Sequence, residues 1–276
     1  MEKTINLSDV VEIDHPSLFK EVRNVIKEKN LEYVNAHTNT IDTRETFYNT
    51  YIKRIIDIGG ASVALLLTAP ANAGLALCTF LDVGRPVFFR QKRIGKEGKP
   101  FVIIKFRNMT NETDENGDLL PPNMRVTKFG KFVRKTSLDE LLNFYSVLKG
   151  DMSLIGPRPL LIEYTESYSD RHAQRHLVKP GLECPAIIPG TSRSDWKSQF
   201  ENDVYYAENV SFALDVKLII KLFSMVFNKN QETRENALKG SFLGYERDGS
   251  CIDSTAVPIE YYNEAVNRLK KANNNE

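Results

Sequence analysis

The sequence predicts an α+β protein that is predominantly α. Three observations carry that expectation. Several segments repeat apolar residues at helical spacing. One stretch of 24 residues, Ile58 to Leu81, has no charge and lies between Asp57 and Asp82. A single pair of β-branched and aromatic runs flanks a Gly/Lys turn, which reads as one small hairpin.

The totals bound the answer. A chain of 276 residues with 41% hydrophobic content can bury a sizeable core, as one large domain or two smaller ones. Net charge is +1, so no global field points to nucleic acid, and the stacking-aromatic patterns of RNA-binding modules are missing. The charge is unevenly placed. Residues 1–50 carry −3, residues 51–149 carry +7 and residues 150–276 carry −3. The basic middle suits anionic lipid or a phosphorylated ligand. Three widely spaced cysteines, Cys78, Cys184 and Cys251, form no C-x-x-C, which disfavours a disulfide framework or zinc site. The acidic N-terminus lacks the apolar core of a signal peptide.

Residues 1–46 read as a polar N-terminal extension. Within it, Pro16 to Lys29 forms an amphipathic helix with Leu18, Val22, Val25 and Ile26 on one face, and Ala36 to Thr43 reads as a linker. The uncharged run follows. It is long enough to cross a bilayer, yet Pro70 sits at its middle and leaves halves of only about 18 Å at 1.5 Å per residue. Both flanks are basic (Lys53 and Arg54 before, Arg85, Arg90, Lys92 and Arg93 after), which places both ends on the cytosolic side. A re-entrant helix at about 51–82 that bends at Pro70, a buried helical hairpin and a full span are all open on these facts.

PVFFRQ and PFVIIKF around GKEGK predict the hairpin, and Asn111 to Asn123 a solvated loop. A helix is expected from Thr136 to about Lys149, opened by a Ser137–Glu140 capping box and closed by Gly150. Another is expected from Leu160 to Val178. Ser211 to Phe227 reads as an apolar helix with Asp215, Lys217 and Lys221 on a narrow polar strip, packed on the body or lying in a lipid interface. Residues 229–276 form a C-terminal extension with a short helix at IEYYNEAVNRLKKA and a disordered NNNE tail.

Most chemical signatures are absent: no P-loop, no dinucleotide fingerprint and no nucleophile elbow. His172 and His176 stand at i, i+4, but without a third ligand they read as a solvated helix face. What remains surrounds Asp139–Glu140. Lys105, Arg107, Arg134, Lys135 and Arg158 are phosphate-binding cations near it in motif order. Paired carboxylates among cations suit Mg²⁺ with substrate phosphates, and a carboxylate can attack phosphorus to give an acyl phosphate.

Several ordered motifs, YIKRIIDI, PVFFRQKRIGKEGKPFVIIKFRNM, SLDELLN…LKGDMSLIGPRP, RHLVKPGL and FENDVYY, resemble those of the bacterial sugar transferases, small monotopic phosphoglycosyl transferases. The resemblance runs from about Phe47 to Phe227. It implies transfer of a sugar 1-phosphate from a UDP-sugar to polyprenyl (undecaprenyl) phosphate, with release of UMP, as the first membrane step of glycoconjugate synthesis. It implies Asp139 as nucleophile, forming an aspartyl-phosphosugar, with Glu140 beside it orienting Mg²⁺ or activating the acceptor. Arg158, Lys105 and Arg134 would bind phosphate, and Asp203 and Tyr205 would line the site. Pro70 would be the break of a re-entrant helix, flanked by interfacial amphipathic helices. The setting implied is the cytoplasmic face of a bacterial inner membrane, with a homo-oligomer left open. The catalytic domain would span 47–228. Two departures stand out. Ala69 replaces the family's Ser before the proline, and GLECPAIIPGTS (Gly181 to Ser192) replaces a segment close to TGWAQVNGRN, with Thr191 at its Arg position. The second motivates a rival expectation, a catalytically degenerate membrane-docked scaffold or regulator.

Overall fold

A computed structural model describes residues 4–10, 15–43, 45–115, 117–227 and 239–273. In chain order the elements are strand β1 (Thr4–Ile5), helices α1 (His15–Ile26) and α2 (Glu32–Ala36), the long helix α3 (Lys53–Val83), and strands β2 (Phe88–Ile94) and β3 (Pro100–Phe106). Helices α4 (Pro122–Arg125), α5 (Lys128–Lys135) and α6 (Asn143–Lys149), strand β4 (Ser153–Ile155), helix α7 (Asp170–Ala173) and strand β5 (Gly181–Glu183) follow. Helices α8 (Trp196–Glu208) and α9 (Phe212–Phe227), strands β6 (Phe242–Tyr245), β7 (Cys251–Asp253) and β8 (Val257–Pro258), and helix α10 (Ile259–Asn273) complete the described chain. The fold is a mix of helices and small two-stranded sheets, paired β1–β8, β2–β3, β4–β5 and β6–β7.

The chain forms two compact units: residues 45–159 with 179–183, and the segments 1–44, 160–178 and 184–276. In the second unit the two terminal segments share one core. Leu18, Val22, Val25 and Ile26 of α1, the face the sequence picked out, are fully buried with Leu243, Ile252, Tyr261 and Ala265. Each such side chain contributes roughly 1.5–3 kcal/mol on burial. The linker at 36–43 is pinned, because the Gln174 amide accepts from Ile41 N–H at 2.6 Å and donates to Ile41 C=O at 2.9 Å. The NNNE tail lies largely outside the described residues.

In the first unit, α3 is one helix across Pro70 rather than two. Its 31 residues have a path length of about 46 Å along the helix axis at 1.5 Å per residue. Thr68 Oγ1 donates to Ala64 C=O at 2.7 Å and accepts from Asn72 Nδ2 at 3.2 Å, a polar ladder alongside the proline. Leu66, Leu67 and Leu81 are about three-quarters exposed, so the helix is long and apolar enough to cross a membrane and is mostly uncovered by protein. The hairpin forms as expected, antiparallel with Phe88 opposite Phe106 and Phe89 opposite Lys105.

Four local expectations are corrected. The helix from Thr136 begins instead as a 3-10 turn, Leu138–Glu140, and α6 starts only at Asn143. Ser137 makes no side-chain capping bond, because its backbone sits in the left-handed region at φ 55° rather than the extended conformation of an ordinary N-cap. Leu160 to Val178 is a relay of short turns, since Ser169 adopts extended backbone and caps α7 by accepting from His172 N–H at 3.2 Å. Asp215 leaves the polar strip of α9, being buried as the acceptor of the Tyr206 hydroxyl at 2.7 Å.

Candidate active site

The site is assembled in the first unit by three local devices. On β3, side chains two apart share a face. Ile103 is buried against Ala61, Val147 and Met152, so Lys105 on the same face is carried to the turn after α5. At that turn the left-handed Ser137, a conformation that costs a non-glycine residue about 1–2 kcal/mol, redirects the chain. Leu138, Leu141 and Leu142 pack on the cluster of Leu75, Phe106 and Val133, which leaves Asp139 and Glu140 to face the cations. The third device is the parallel pairing of β4 with β5. A Cβ at Gly156 would come within 2.6 Å of Lys179 C=O, so only glycine allows the close approach that delivers GPRP and Arg158 beside Glu183.

Lys105 Nζ and Arg158 Nη2 both donate to Glu140 Oε1, at 2.7 and 2.6 Å, and Arg158 Nη1 reaches Glu183 Oε2 at 3.4 Å. Burial works to raise the Glu140 pKa, but Arg158 and Lys105 together outweigh it and hold the carboxyl below its ordinary value. Asp139 is shifted the other way. Burial pushes its pKa up, Lys105 opposes that, and the Glu140 charge adds to it. The neighbouring carboxylates are therefore driven apart, a pattern typical of sites that divide two roles between two like groups. Asp139 is 8% exposed, and among the described residues its carboxylate accepts no hydrogen bond from another side chain.

The structure thus brings Lys105, Glu140 and Arg158 together, with Asp139 in the same turn. Arg134 is turned to Asn108, donating Nε and Nη2 to Oδ1 at 3.0 and 2.8 Å, and reaches Asp139 only through its charge. Asp203 and Tyr205 belong to the second unit. Asp203 is fully buried against Arg175, whose Nη2 lies 2.7 Å from Oδ2, while Tyr205 is 40% exposed on α8. Glu183 and Asn108 escaped the sequence reading, because a lone carboxylate after Pro-Gly-Leu and an Asn after a cationic strand carry no spacing signal.

The histidines are not a solvated face. His172 lies between Tyr245 Oη at 2.8 Å and Glu201 Oε1 at 3.0 Å, and His176 Nε2 is buried with no hydrogen-bond partner among the described residues. Among the described residues no group of three or more His, Cys, Asp or Glu gathers as a metal cluster. A magnesium ion needs less, namely one or two carboxylates with substrate phosphates. Asp139 is uncommitted and Glu140 spends only Oε1 on its cations, so this donor set fits such an ion.

Residues 48–229 match the family described as bacterial sugar transferase. The uncharacterized sugar transferase EpsL of Bacillus subtilis is 46% identical over 168 residues, covering 61% of this chain and 83% of that protein. The UDP-N-acetylgalactosamine-undecaprenyl-phosphate N-acetylgalactosaminephosphotransferase of Aeromonas hydrophila is 38% identical over 179 residues, covering 62% and 42%. The UDP-glucose:undecaprenyl-phosphate glucose-1-phosphate transferase of Klebsiella pneumoniae is 38% identical over 193 residues, covering 66% and 42%, so the chain spans about two-fifths of the length of these last two. The matched segment holds every residue of the carboxylate–cation cluster, and the chain belongs to the bacterial sugar transferase family.

Proposed function

We propose that this chain is a phosphoglycosyl transferase that moves a sugar 1-phosphate from a UDP-sugar to polyprenyl phosphate at a membrane surface. The observation that carries the reading is the uncommitted, buried Asp139 beside a Glu140 already neutralised by Lys105 and Arg158. An Asp139 carboxylate oxygen attacks the β-phosphorus of the donor. The bond from that phosphorus to the bridging oxygen breaks, UMP leaves with the electron pair, and the phosphosugar is held as an aspartyl ester. An oxygen of polyprenyl phosphate then attacks the same phosphorus, the ester bond breaks and the Asp139 carboxylate is restored. Its raised pKa makes Asp139 a stronger nucleophile than an ordinary carboxylate while leaving the site with only one fully stabilised anion. Lys105 and Arg158 exchange Glu140 for diphosphate oxygens, which disperses the charge that builds up on phosphorus. A magnesium ion held by Asp139 and Glu140 would supply further neutralisation of the diphosphate.

The exposed apolar α3, with cations at both ends, supports a membrane setting, and a bend at Pro70 that returns the helix to the cytoplasmic face fits those cations best. The names of the relatives support the donor and acceptor classes. To test the reading, the full chain in membranes is incubated with a panel of labelled UDP-sugars and undecaprenyl phosphate. UMP release that Asp139→Asn abolishes, with a phosphosugar adduct on Asp139 by mass spectrometry, is expected. Undiminished turnover in that variant overturns the covalent route.

The altered Gly181–Ser192 segment favours a second reading, a non-catalytic membrane-docked scaffold. Arg193, the nearest replacement for the missing cation, donates to Cys184 C=O and lies 3.7 Å from Asp203. Stable membrane association with no turnover on any donor supports this alternative.

A further inference from the structure

Arg54 and Asp57, two of the three charged residues in the opening turns of α3, bond to other segments of the first unit, and neither belongs to the carboxylate–cation cluster. Asp57 is 3% exposed, and its Oδ1 accepts from both Ser153 Oγ and Leu154 N–H at 2.9 Å. Those are the first residues of β4, the strand that runs directly into Gly156 and Arg158. One turn earlier, Arg54 donates Nη1 to Val147 C=O at 2.6 Å and Nη2 to Leu148 C=O at 2.7 Å. Those are last-turn carbonyls of α6, the helix that follows the Asp139–Glu140 turn and otherwise ends on the left-handed Gly150.

Three residues apart, Arg54 and Asp57 project from neighbouring positions on one helical surface. Their bonds reach the two chain segments that carry opposite partners of the 2.6 Å Arg158–Glu140 contact. Apolar packing alone leaves such segments free to slide, because the hydrophobic effect has no direction. A bidentate guanidinium and a doubly accepting carboxylate fix both position and angle. The packing beneath is close as well, since a Cβ on Gly60 would come within 2.6 Å of Leu154 Cδ1.

We propose that Asp57 and Arg54 are positioning residues of the transfer site: Asp57 sets Arg158 through β4, and Arg54 sets the carboxylate turn through α6, so the apolar helix aligns the site as well as anchoring it. The inference rests on the reading of Asp139, Glu140 and Arg158 as the site. A misplacement of about 1 Å in a pre-organised site can cost on the order of 100-fold in rate.

The test uses the full chain in detergent or membranes with two independent readouts. In hydrogen exchange, Asp57→Leu leaves Ser153 and Leu154 without their acceptor, and faster exchange over 153–158 is expected. Asp57→Asn keeps an acceptor oxygen and should restore slow exchange. In the UMP-release assay, Asp57→Leu should lower kcat by about 10–100-fold alone, yet by less than about 3-fold in an Arg158→Ala background, because both act through one guanidinium. Arg54→Met should speed exchange at 147–150. Unchanged exchange over 153–158 in Asp57→Leu, or rate losses that multiply with Arg158→Ala, overturns the proposal. If the wild-type chain releases no UMP, the transferase reading falls, and the exchange arm still decides whether Asp57 holds the Arg158 strand.

Discussion

Lys105 Nζ donates to Glu140 Oε1 at 2.7 Å across 35 residues of chain, and Arg158 adds its own bond to the same oxygen. Glu140 is thus the hub of the cation cluster, while its neighbour Asp139 is left without a side-chain donor. Replacing Glu140 by Gln removes the shared charge and keeps the shape. The rate of UMP release is expected to fall by about 10–100-fold as Lys105 and Arg158 lose their anchor. The Glu140 charge also contributes to the raised Asp139 pKa, so the acidic limb of the pH–rate profile should move to lower pH in Glu140→Gln.

Burial disfavours the charged form of Asp139 and raises its pKa, so its removal should relieve the fold. Asp139→Asn is expected to abolish turnover while raising thermal stability by about 0.5–2 kcal/mol, the usual range for relieving a functional compromise. Because the native pKa is raised, charging Asp139 works against folding as pH rises through the native value. The gain is therefore present at neutral pH and fades below about pH 4, where native and unfolded Asp139 are both protonated. Melting curves of both proteins from pH 3 to 8 check the sign.

Metal removal tests the proposed magnesium ion. Chelation by EDTA should stop UMP release, with recovery on adding magnesium. In Asp139→Asn neither treatment should change anything. Full turnover in excess EDTA would remove magnesium from the scheme.

His176 is pushed down to about 3, first by burial and then by the Arg175 charge, so it is neutral in the fold. In the unfolded chain it protonates near its ordinary pKa of about 6.5. Between those values the unfolded state binds the extra proton, and stability is lost as pH falls, by up to ~1.4 kcal/mol per unit from this group. His176→Phe should flatten that slope in denaturant titrations at pH 4, 5 and 6.

Asp203 tests the second unit. Its side chain is fully buried against a fully buried Arg175, so Asp203→Ala removes the carboxylate that pairs with a cation in the core. A loss of about 3–5 kcal/mol is expected, read as a lowered unfolding midpoint. Tyr205→Phe, at an exposed position, should leave that midpoint within about 0.5 kcal/mol.

By itself the sequence determined what local pattern can encode: the buried stripe of α1, the hairpin and its Gly/Lys turn, the glycine stop after α6, the uncharged run of α3 and the Asp139–Glu140 pair with its cation motifs. Each is written in periodicity, a special backbone residue or contiguous chemistry. Tertiary structure decided the rest. Only packing unites the two terminal segments in one core, turns Asp215 and His172 inward, twists Ser137 into the left-handed region and gives Arg158 a second partner in Glu183. Those outcomes depend on which groups from other elements arrive to satisfy a buried charge or hydrogen bond, and no local spacing records a partner on another element.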